Sequence, residues 1–346
     1  MVKKKVDWEE IYKMEITRKA LQWKAQRDVD TVDGINRRLR YGGFIEMMRD
    51  ADRFYDSVIW KAAGKIMSRR GDIRLVIVAG PSSSGKTTTT IKLCENLRTM
   101  GENLNILPLD NYFWNLKDQP KDEFDDYDFE SPDALDKETI RDNITELLDK
   151  GETVTPIYNF KKGEREKEGK KVALGEGQLL VVEGLHGFHG DMTDGIPQDE
   201  IFRLYIETIC QLKNTEGELV PWTDIRLLRR MVRDSWHRNY DPIQTIGHWH
   251  YVRRSEKEYI VPFIKEVEFI VNGYLPYEIP VHKKHMLEHL RNAVKFYEGV
   301  EKKEDAHTRS LRCMKLLESV TALEDESSIA PDSLLREFIG GSVYHY

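Results

Sequence analysis

The stretch from Gly80 to Thr87 contains the residues with the clearest chemistry. It reads GPSSSGKT and matches G-x-x-x-x-G-K-[S/T] in full. Glycines let the backbone wrap around a phosphate, and the N–H groups at the start of the following helix point at the anion. Lys86 then contacts the terminal phosphates, and the Thr87 hydroxyl ligates Mg²⁺. The residues predicted to bind nucleotide here are Gly80, Ser82, Ser83, Ser84, Gly85, Lys86, Thr87 and Thr88.

Two carboxylates follow apolar runs that are typical of buried strands. Glu183 ends LLVVE, and Asp110 follows LNILPL. Because the carboxyl ends of parallel strands meet at one sheet edge, we expect both beside the phosphate loop. Glu183 is the predicted second Mg²⁺ contact, direct or through water. Asp110 can accept the proton of an attacking hydroxyl. The alternatives are a solvated strand end for Glu183 and a loop cap for Asp110.

Arginines are concentrated in the helical stretch 224–238. They recur at three- and four-residue steps, so most of them share one helix face: Arg226, Arg229, Arg230 and Arg233, with Arg238 one turn further on. The stretch itself contains only Asp224 and Asp234 as carboxylates. Several guanidiniums therefore need another anion, and a nucleotide's phosphates suit them. Such a clamp favours a kinase over a motion-driving ATPase.

The elements that must position these residues alternate between strand and helix from Ile73 onward. RLVIVAG, LNILPLD, QLLVVEG and IFRLYIE read as strands, and one helix is predicted from a Ser131 cap to Gly151. This alternation predicts an α/β fold, a parallel β-sheet sandwiched by helices. Helical N- and C-terminal extensions flank it, so the predicted division is 1–70, 71–282 and 283–346. Turns are expected near Val32–Gly34 and Tyr41–Gly43.

Composition narrows the function classes. The 346 residues have a net charge of −7, so no basic footprint for nucleic acid is present. No apolar stretch is long enough for a membrane span, and no apolar run follows the basic start as in a secretory signal. Three widely spaced cysteines predict reduced thiols in a cytoplasmic protein. Histidines in VHKKHMLEHL have metal-like spacing, but no cysteine or paired carboxylate completes a zinc set.

Taken in order, the motifs resemble those of the uridine kinase/phosphoribulokinase family of P-loop kinases, and most closely a bacterial uridine kinase-like branch. The matching stretches run from about residue 71 to the C-terminus: AGPSSSGKTT, LDNYF, YDFESPDALD, PIYNFKKGERE, VVEGLHGF, TDIRLLRRMVRD and LLREFIGGS. The resemblance implies a kinase that uses ATP and Mg²⁺ to phosphorylate a small-molecule acceptor. Homo-oligomers are common in such families.

The resemblance also implies roles for single residues. Asp110 is the catalytic base, and Arg233, with Arg230, reaches the acceptor and the transferring phosphate. Arg238 belongs to a lid over the nucleotide. The residues placed around the acceptor are Tyr112, Glu130 at the ribose hydroxyls, Tyr158 against the base, Arg165, and His248 where the family has a glutamine.

Departures from the family pattern leave the acceptor open. Gly163 replaces a histidine that reads the pyrimidine edge, Tyr240 replaces a lid arginine, and TICQLKNTEGELVPW is inserted before the arginine-rich helix. The acidic run 121–136 disfavours a phosphorylated acceptor and favours a neutral, hydroxylated one. A nucleoside leads, with a sugar, inositol or pantothenate-like acceptor as the alternative.

Two non-kinase classes complete the set of hypotheses. A P-loop switch or motor is disfavoured because neither [N/T]-K-x-D nor L-S-G-G-Q occurs. A nucleotide-binding scaffold without catalysis is disfavoured because Lys86, Thr87, Asp110 and Glu183 occur together.

Overall fold

The structure is a computed structural model that describes residues 15–121, 127–237 and 240–345. Its strands are β1 (Leu75–Ala79), β2 (Leu104–Pro108), β3 (Glu152–Thr155), β4 (Tyr158–Asn159), β5 (Glu164–Arg165), β6 (Lys170–Ala173), β7 (Leu179–Glu183), β8 (Ile201–Glu207) and β9 (Phe269–Asn272). Its helices are α1 (Glu15–Ala25), α2 (Val32–Tyr41), α3 (Phe44–Ser68), α4 (Lys86–Thr99), α5 (Lys137–Lys150), α6 (Trp222–His237), α7 (Pro242–Ser255), α8 (Glu278–Tyr297), α9 (Glu304–Ser319) and α10 (Arg336–Ile339).

A five-stranded parallel sheet forms the centre, in the order β2-β7-β1-β8-β9. Every residue of β1 and β8 is buried, as expected for a sheet covered by helices on both faces. Glu183 is in register with Val78 on one side and Pro108 on the other. The predicted α/β fold is confirmed, and the carboxyl ends of β1, β2 and β7 meet at one edge.

Two small antiparallel pairs lie between α5 and β7. They join β3 to β6 and β4 to β5, and in the second pair Tyr158 faces Arg165. The sequence analysis predicted no strands here, because two-residue strands are too short to show an alternating pattern.

The chain from Ser131 to Gly151 does not form one helix. Ser131 caps only the short 3₁₀ turn Pro132–Ala134, and Leu135 is extended. The helix α5 starts at Lys137, where the Asp136 carboxylate accepts a hydrogen bond from the Thr139 N–H at 3.1 Å. The sequence contains two capping residues in succession, and the second one begins the long helix.

The predicted helical N-terminus is confirmed for the described part of the chain, while residues 1–14 lie outside it. The expected turn at Val32–Gly34 is wrong. Thr31 accepts a hydrogen bond from the Gly34 N–H at 3.0 Å, so these residues form the first turn of α2. Farther on, α3 packs against α4, and the Tyr55 hydroxyl lies 2.7 Å from the Thr89 hydroxyl.

The C-terminal part packs on the same region. After α9 the chain returns along α4, where Asp332 pairs with Lys92 at 3.1 Å. The buried Tyr277 hydroxyl donates to Asp52 of α3 at 2.5 Å and lies 2.7 Å from the Ser333 hydroxyl. The predicted boundary at residue 282 falls inside α8, and the division into three regions stays a prediction.

None of the helices in the described ranges is both long and apolar enough to cross a membrane.

The contact between α3 and α4 can be tested with Tyr55→Phe. The substitution removes one buried hydrogen bond, so we expect the free energy of unfolding in urea to fall by about 1 kcal/mol. Tyr41→Phe is the control, because Tyr41 is 84% exposed and its variant should stay within about 0.5 kcal/mol of wild type. Equal losses in the two variants would contradict a contribution from this bond.

Candidate nucleotide and phosphoryl-acceptor site

The phosphate loop lies between β1 and α4, as the sequence predicts. Gly85 has φ +94°, and a Cβ on Gly80 would lie 2.2 Å from the carbonyl oxygen of Ile206. Ser83 also adopts a left-handed backbone, with φ +61°. The Ser83 and Ser84 hydroxyl oxygens are buried and have no hydrogen-bond partner. A sharply wound backbone with orphaned hydroxyls at the start of a helix fits an anion-binding site.

Two buried arginines of α6 hold the loop's carbonyl groups. Arg226 donates to the Ser82 carbonyl at 3.2 Å, and Arg229 donates to the Ser84 carbonyl at 3.2 Å. Because a trans peptide points its C=O and the next N–H in opposite directions, these bonds turn the N–H groups of Ser83 and Gly85 away from the arginines. The arginines therefore fix which way part of the loop faces.

Carboxylates from outside the arginine-rich stretch neutralise these two guanidiniums. Arg226 pairs with Glu207 at 3.0 Å and Glu256 at 2.6 Å, and Arg229 pairs with Glu278 at 2.5 Å. All five side chains are almost entirely enclosed. The inference that both need a nucleotide's charge was wrong, because their anions come from distant parts of the chain. A direct contact of Arg229 with nucleotide stays a prediction.

The strand-edge carboxylates meet beside the loop. Burial and the neighbouring Asp110 raise the pKa of Glu183 to about 8, against the opposing effect of Lys86. Asp110 is exposed, in the short 3₁₀ turn Leu109–Tyr112 that follows β2. The Lys86 ammonium lies 3.3 Å from the Pro81 carbonyl, inside the loop. Sheet topology thus brings together three residues that are far apart in sequence.

This arrangement fits a magnesium ion. Two neighbouring carboxylates, one of them buried, are costly to ionise together, and a divalent cation relieves that cost. Thr87 lies half-buried in the first turn of α4 on the same edge. Within the described ranges, no group of three His, Cys, Asp or Glu side chains could hold a metal. Mg²⁺ commonly takes only one or two protein carboxylates and completes its shell with phosphates and water. Glu183 and Thr87 therefore stay its predicted ligands.

Arg230 connects the phosphate loop to the predicted acceptor side. Its guanidinium donates to the Ser82 hydroxyl at 3.0 Å and to the Glu130 carboxylate at 2.6 Å. Burial alone would raise the pKa of Glu130, but Arg230, His186 and Arg233 together lower it. Glu130 is therefore a charged acceptor of hydrogen bonds, and the structure brings Arg230 and Arg233 close to it.

His186 is a neighbour of Glu130 that the sequence analysis left without a role. Its Nε2 lies 2.8 Å from the Glu130 carbonyl oxygen, and burial lowers the pKa of the imidazole to about 4. The ring is therefore neutral and carries its proton on Nε2, facing the carbonyl. His186 supports the backbone of the Glu130 loop.

Tyr112 and Arg165 are occupied in supporting the loop that carries Asp110. Tyr112 is fully buried, and its hydroxyl donates to Asn143 at 2.9 Å. The Arg165 guanidinium donates to the carbonyls of Tyr112 and Phe113 and to Asp136. Contacts of these two side chains with an acceptor stay predictions.

Tyr158 belongs to an aromatic cluster beside the same loop. Its ring centroid lies 5.7 Å from that of Phe113 and 5.0 Å from that of Phe160, which is 59% exposed. A partly exposed aromatic surface of this kind can pack against a planar ligand.

Two predicted residues are not placed at the site. His248 is exposed on α7 and lies 2.9 Å from the Tyr240 hydroxyl, almost two turns before Ser255, which donates to the Glu130 carbonyl. Arg238 lies outside the described residues. Their predicted roles stay untested.

The fold and the loop define a P-loop nucleotide-binding protein with an acidic strand edge. Within that class, the chain belongs to the phosphoribulokinase / uridine kinase family, whose model matches residues 75–275, more than half of the chain.

Individual relatives are distant and carry the same family name. The chain is 27% identical over 157 residues to a uridine kinase from Halobacterium salinarum, covering 45% of this chain and 60% of that protein. It is 28% identical over 202 residues to a uridine kinase from Schizosaccharomyces pombe, covering 58% and 40%. The chain thus spans less than two thirds of the length of either relative. A solved structure of a possible uridine kinase from Bacillus stearothermophilus matches with TM-score 0.44 and 15% identity, covering 65% and 98%.

Glu278→Gln tests the buried pair that braces the loop. The substitution leaves the Arg229 charge without its carboxylate, so we expect the free energy of unfolding to fall by about 3 kcal/mol. Nucleotide affinity should fall as well, since Arg229 holds a loop carbonyl. The control is Glu288→Gln, an exposed ion-pair residue on the same helix, with an expected change within about 0.5 kcal/mol. A Glu278 variant as stable as this control would overturn the bracing role.

Proposed function

We propose that this protein is an ATP- and Mg²⁺-dependent phosphotransferase that moves the γ-phosphate to a hydroxyl of a small neutral acceptor, with a nucleoside 5′-hydroxyl as the leading candidate. The observation that carries the proposal is the meeting of Lys86, Asp110 and Glu183 beside the phosphate loop. A loop that binds phosphate and a carboxylate base are the two parts that transfer to an alcohol needs.

Each residue has a role that follows from its position. Lys86 and the loop N–H groups bind the phosphates, and Glu183 with Thr87 holds the Mg²⁺ that neutralises them. Asp110, exposed at the strand edge, accepts the proton of the attacking hydroxyl. Arg230 and Arg233 lie between the loop and Glu130, on the path from nucleotide to acceptor.

The acceptor side supports a neutral, hydroxylated molecule. The charged Glu130 can accept hydrogen bonds from hydroxyl groups, as the family's aspartate does at ribose. Arg230, the cation next to it, is already paired with Glu130 and Asp234, so it offers little to a second phosphate on the acceptor. The Tyr158 cluster supports a planar base on that acceptor.

A sugar, inositol or pantothenate-like acceptor is the second candidate. The observation that favours it is the engagement of Tyr112 and Arg165 within the protein, which leaves fewer base-contacting groups than the family pattern implies. A cytoplasmic location and self-association remain expectations of the sequence.

An acceptor panel tests the proposal directly. ADP release is measured with MgATP and uridine, cytidine, other nucleosides, sugars, inositols or pantothenate, against a blank without acceptor. We expect release to depend on an acceptor, and the responding compound identifies its class. Release at the blank level with every acceptor would contradict transfer to a small hydroxyl compound.

Asp110→Asn tests the base. Without the carboxylate, kcat should fall on the order of a hundredfold to ten-thousandfold, while MgATP binding is kept. Asp118→Asn, an exposed aspartate on the same loop, is the control and should leave kcat unchanged. Full turnover by the Asp110 variant would show that another group accepts the proton.

A further inference from the structure

A glutamate from the far end of the chain binds the phosphate loop's helix. The Glu337 carboxylate of α10 accepts hydrogen bonds from the Thr88 N–H at 3.0 Å and from the Thr88 hydroxyl at 2.7 Å. Thr88 is the third residue of α4, and N–H groups in that turn are the donors that a helix N-terminus offers to phosphate. The sequence analysis had assigned Thr88 to the nucleotide.

The backbone that carries Glu337 is firmly anchored. Leu334 and Phe338 are fully buried on either side of it. A Cβ on Gly85 would lie 2.4 Å from Leu334, and the Phe338 ring centroid is 5.0 Å from the Arg229 guanidinium carbon. The Glu337 side chain, by contrast, is only half-buried. A long side chain on a fixed backbone can change rotamer without moving the segment.

The charge of Glu337 opposes a polyphosphate. Glu337 is close enough to Glu183 to contribute, after burial and Asp110, to the raised pKa of that carboxyl. A nucleotide phosphate arriving at the first turn of α4 would meet this carboxylate at like charge and compete for the same two donors. Both anions cannot occupy them together.

We propose that Glu337 occupies a phosphate subsite of the nucleotide-free protein and that its side chain leaves when nucleotide binds, so that Glu337 sets the nucleotide affinity. This inference rests on the proposed function only in taking the loop to bind a nucleoside triphosphate. Glu337 is an internal competitor that touches the nucleotide's own donors.

The alternative is that Glu337 is simply a cap for α4. A carboxylate in the first turn stabilises a helix through its N–H groups and dipole. Removing a cap loosens the loop's helix, and nucleotide would then bind equally well or more weakly. The two interpretations therefore predict opposite signs for the same substitution.

The experiment measures the Kd of MgATP by calorimetry for wild type, Glu337→Gln and Glu324→Gln. Gln keeps the size of the side chain but loses the charge, so the bond to Thr88 weakens and the repulsion disappears. We expect Glu337→Gln to bind MgATP about tenfold more tightly. Glu324→Gln makes the same change at an exposed position of the same segment and should match wild type. Glu337→Ala should also bind more tightly, and inorganic tripolyphosphate should reproduce the effect without a base.

Each outcome decides. Wild type that binds MgATP as tightly as Glu337→Gln, or more tightly, overturns the inference and leaves the proposed function in place. Binding detected only in the Glu337 variants supports it. If none of the proteins binds MgATP or tripolyphosphate, the inference falls together with the nucleotide part of the proposed function. Thermal unfolding of each variant shows that a change in Kd is measured on folded protein.

Discussion

The buried pair of Arg229 and Glu278 connects more of this molecule than any single apolar contact. Arg229 comes from α6, Glu278 begins α8, and the same guanidinium binds carbonyls of the phosphate loop and of Gly273 after β9. Isolated buried charges are expensive, so each group is tolerable only while the other stays in place. The shape of the loop is therefore tied to the packing of two helices and the end of the sheet.

Much of the site could be predicted because its chemistry is local in sequence. The loop needs glycines and a lysine at fixed spacing, and Asp110 and Glu183 follow apolar strands whose carboxyl ends must meet in a parallel sheet. The fold class follows from the same alternation of elements. None of these inferences needs to know which distant residues touch.

The partners of the arginines could not be predicted for the opposite reason. Glu207, Glu256 and Glu278 lie outside the arginine-rich stretch, and only the fold brings them to Arg226 and Arg229. A carboxylate at the end of the apolar run IFRLYIE was the one visible sign. The same holds for Glu337, 249 residues from Thr88. The split of the predicted helix at Ser131 has a local cause, since two capping residues compete and only packing selects between them.

The position of α4 between the two ends of the chain bears on how the protein is made. Its Thr89 meets Tyr55 from the first part of the chain, and its Lys92 and Thr88 meet Asp332 and Glu337 from the last. Chains emerge from the ribosome N-terminus first, so α3 is available to α4 early and α10 arrives only near the end of synthesis. During translation, the first turn of the loop's helix waits uncapped by Glu337 for about 250 residues. A nucleotide present in that interval would find the phosphate donors open and could serve as a temporary partner for them.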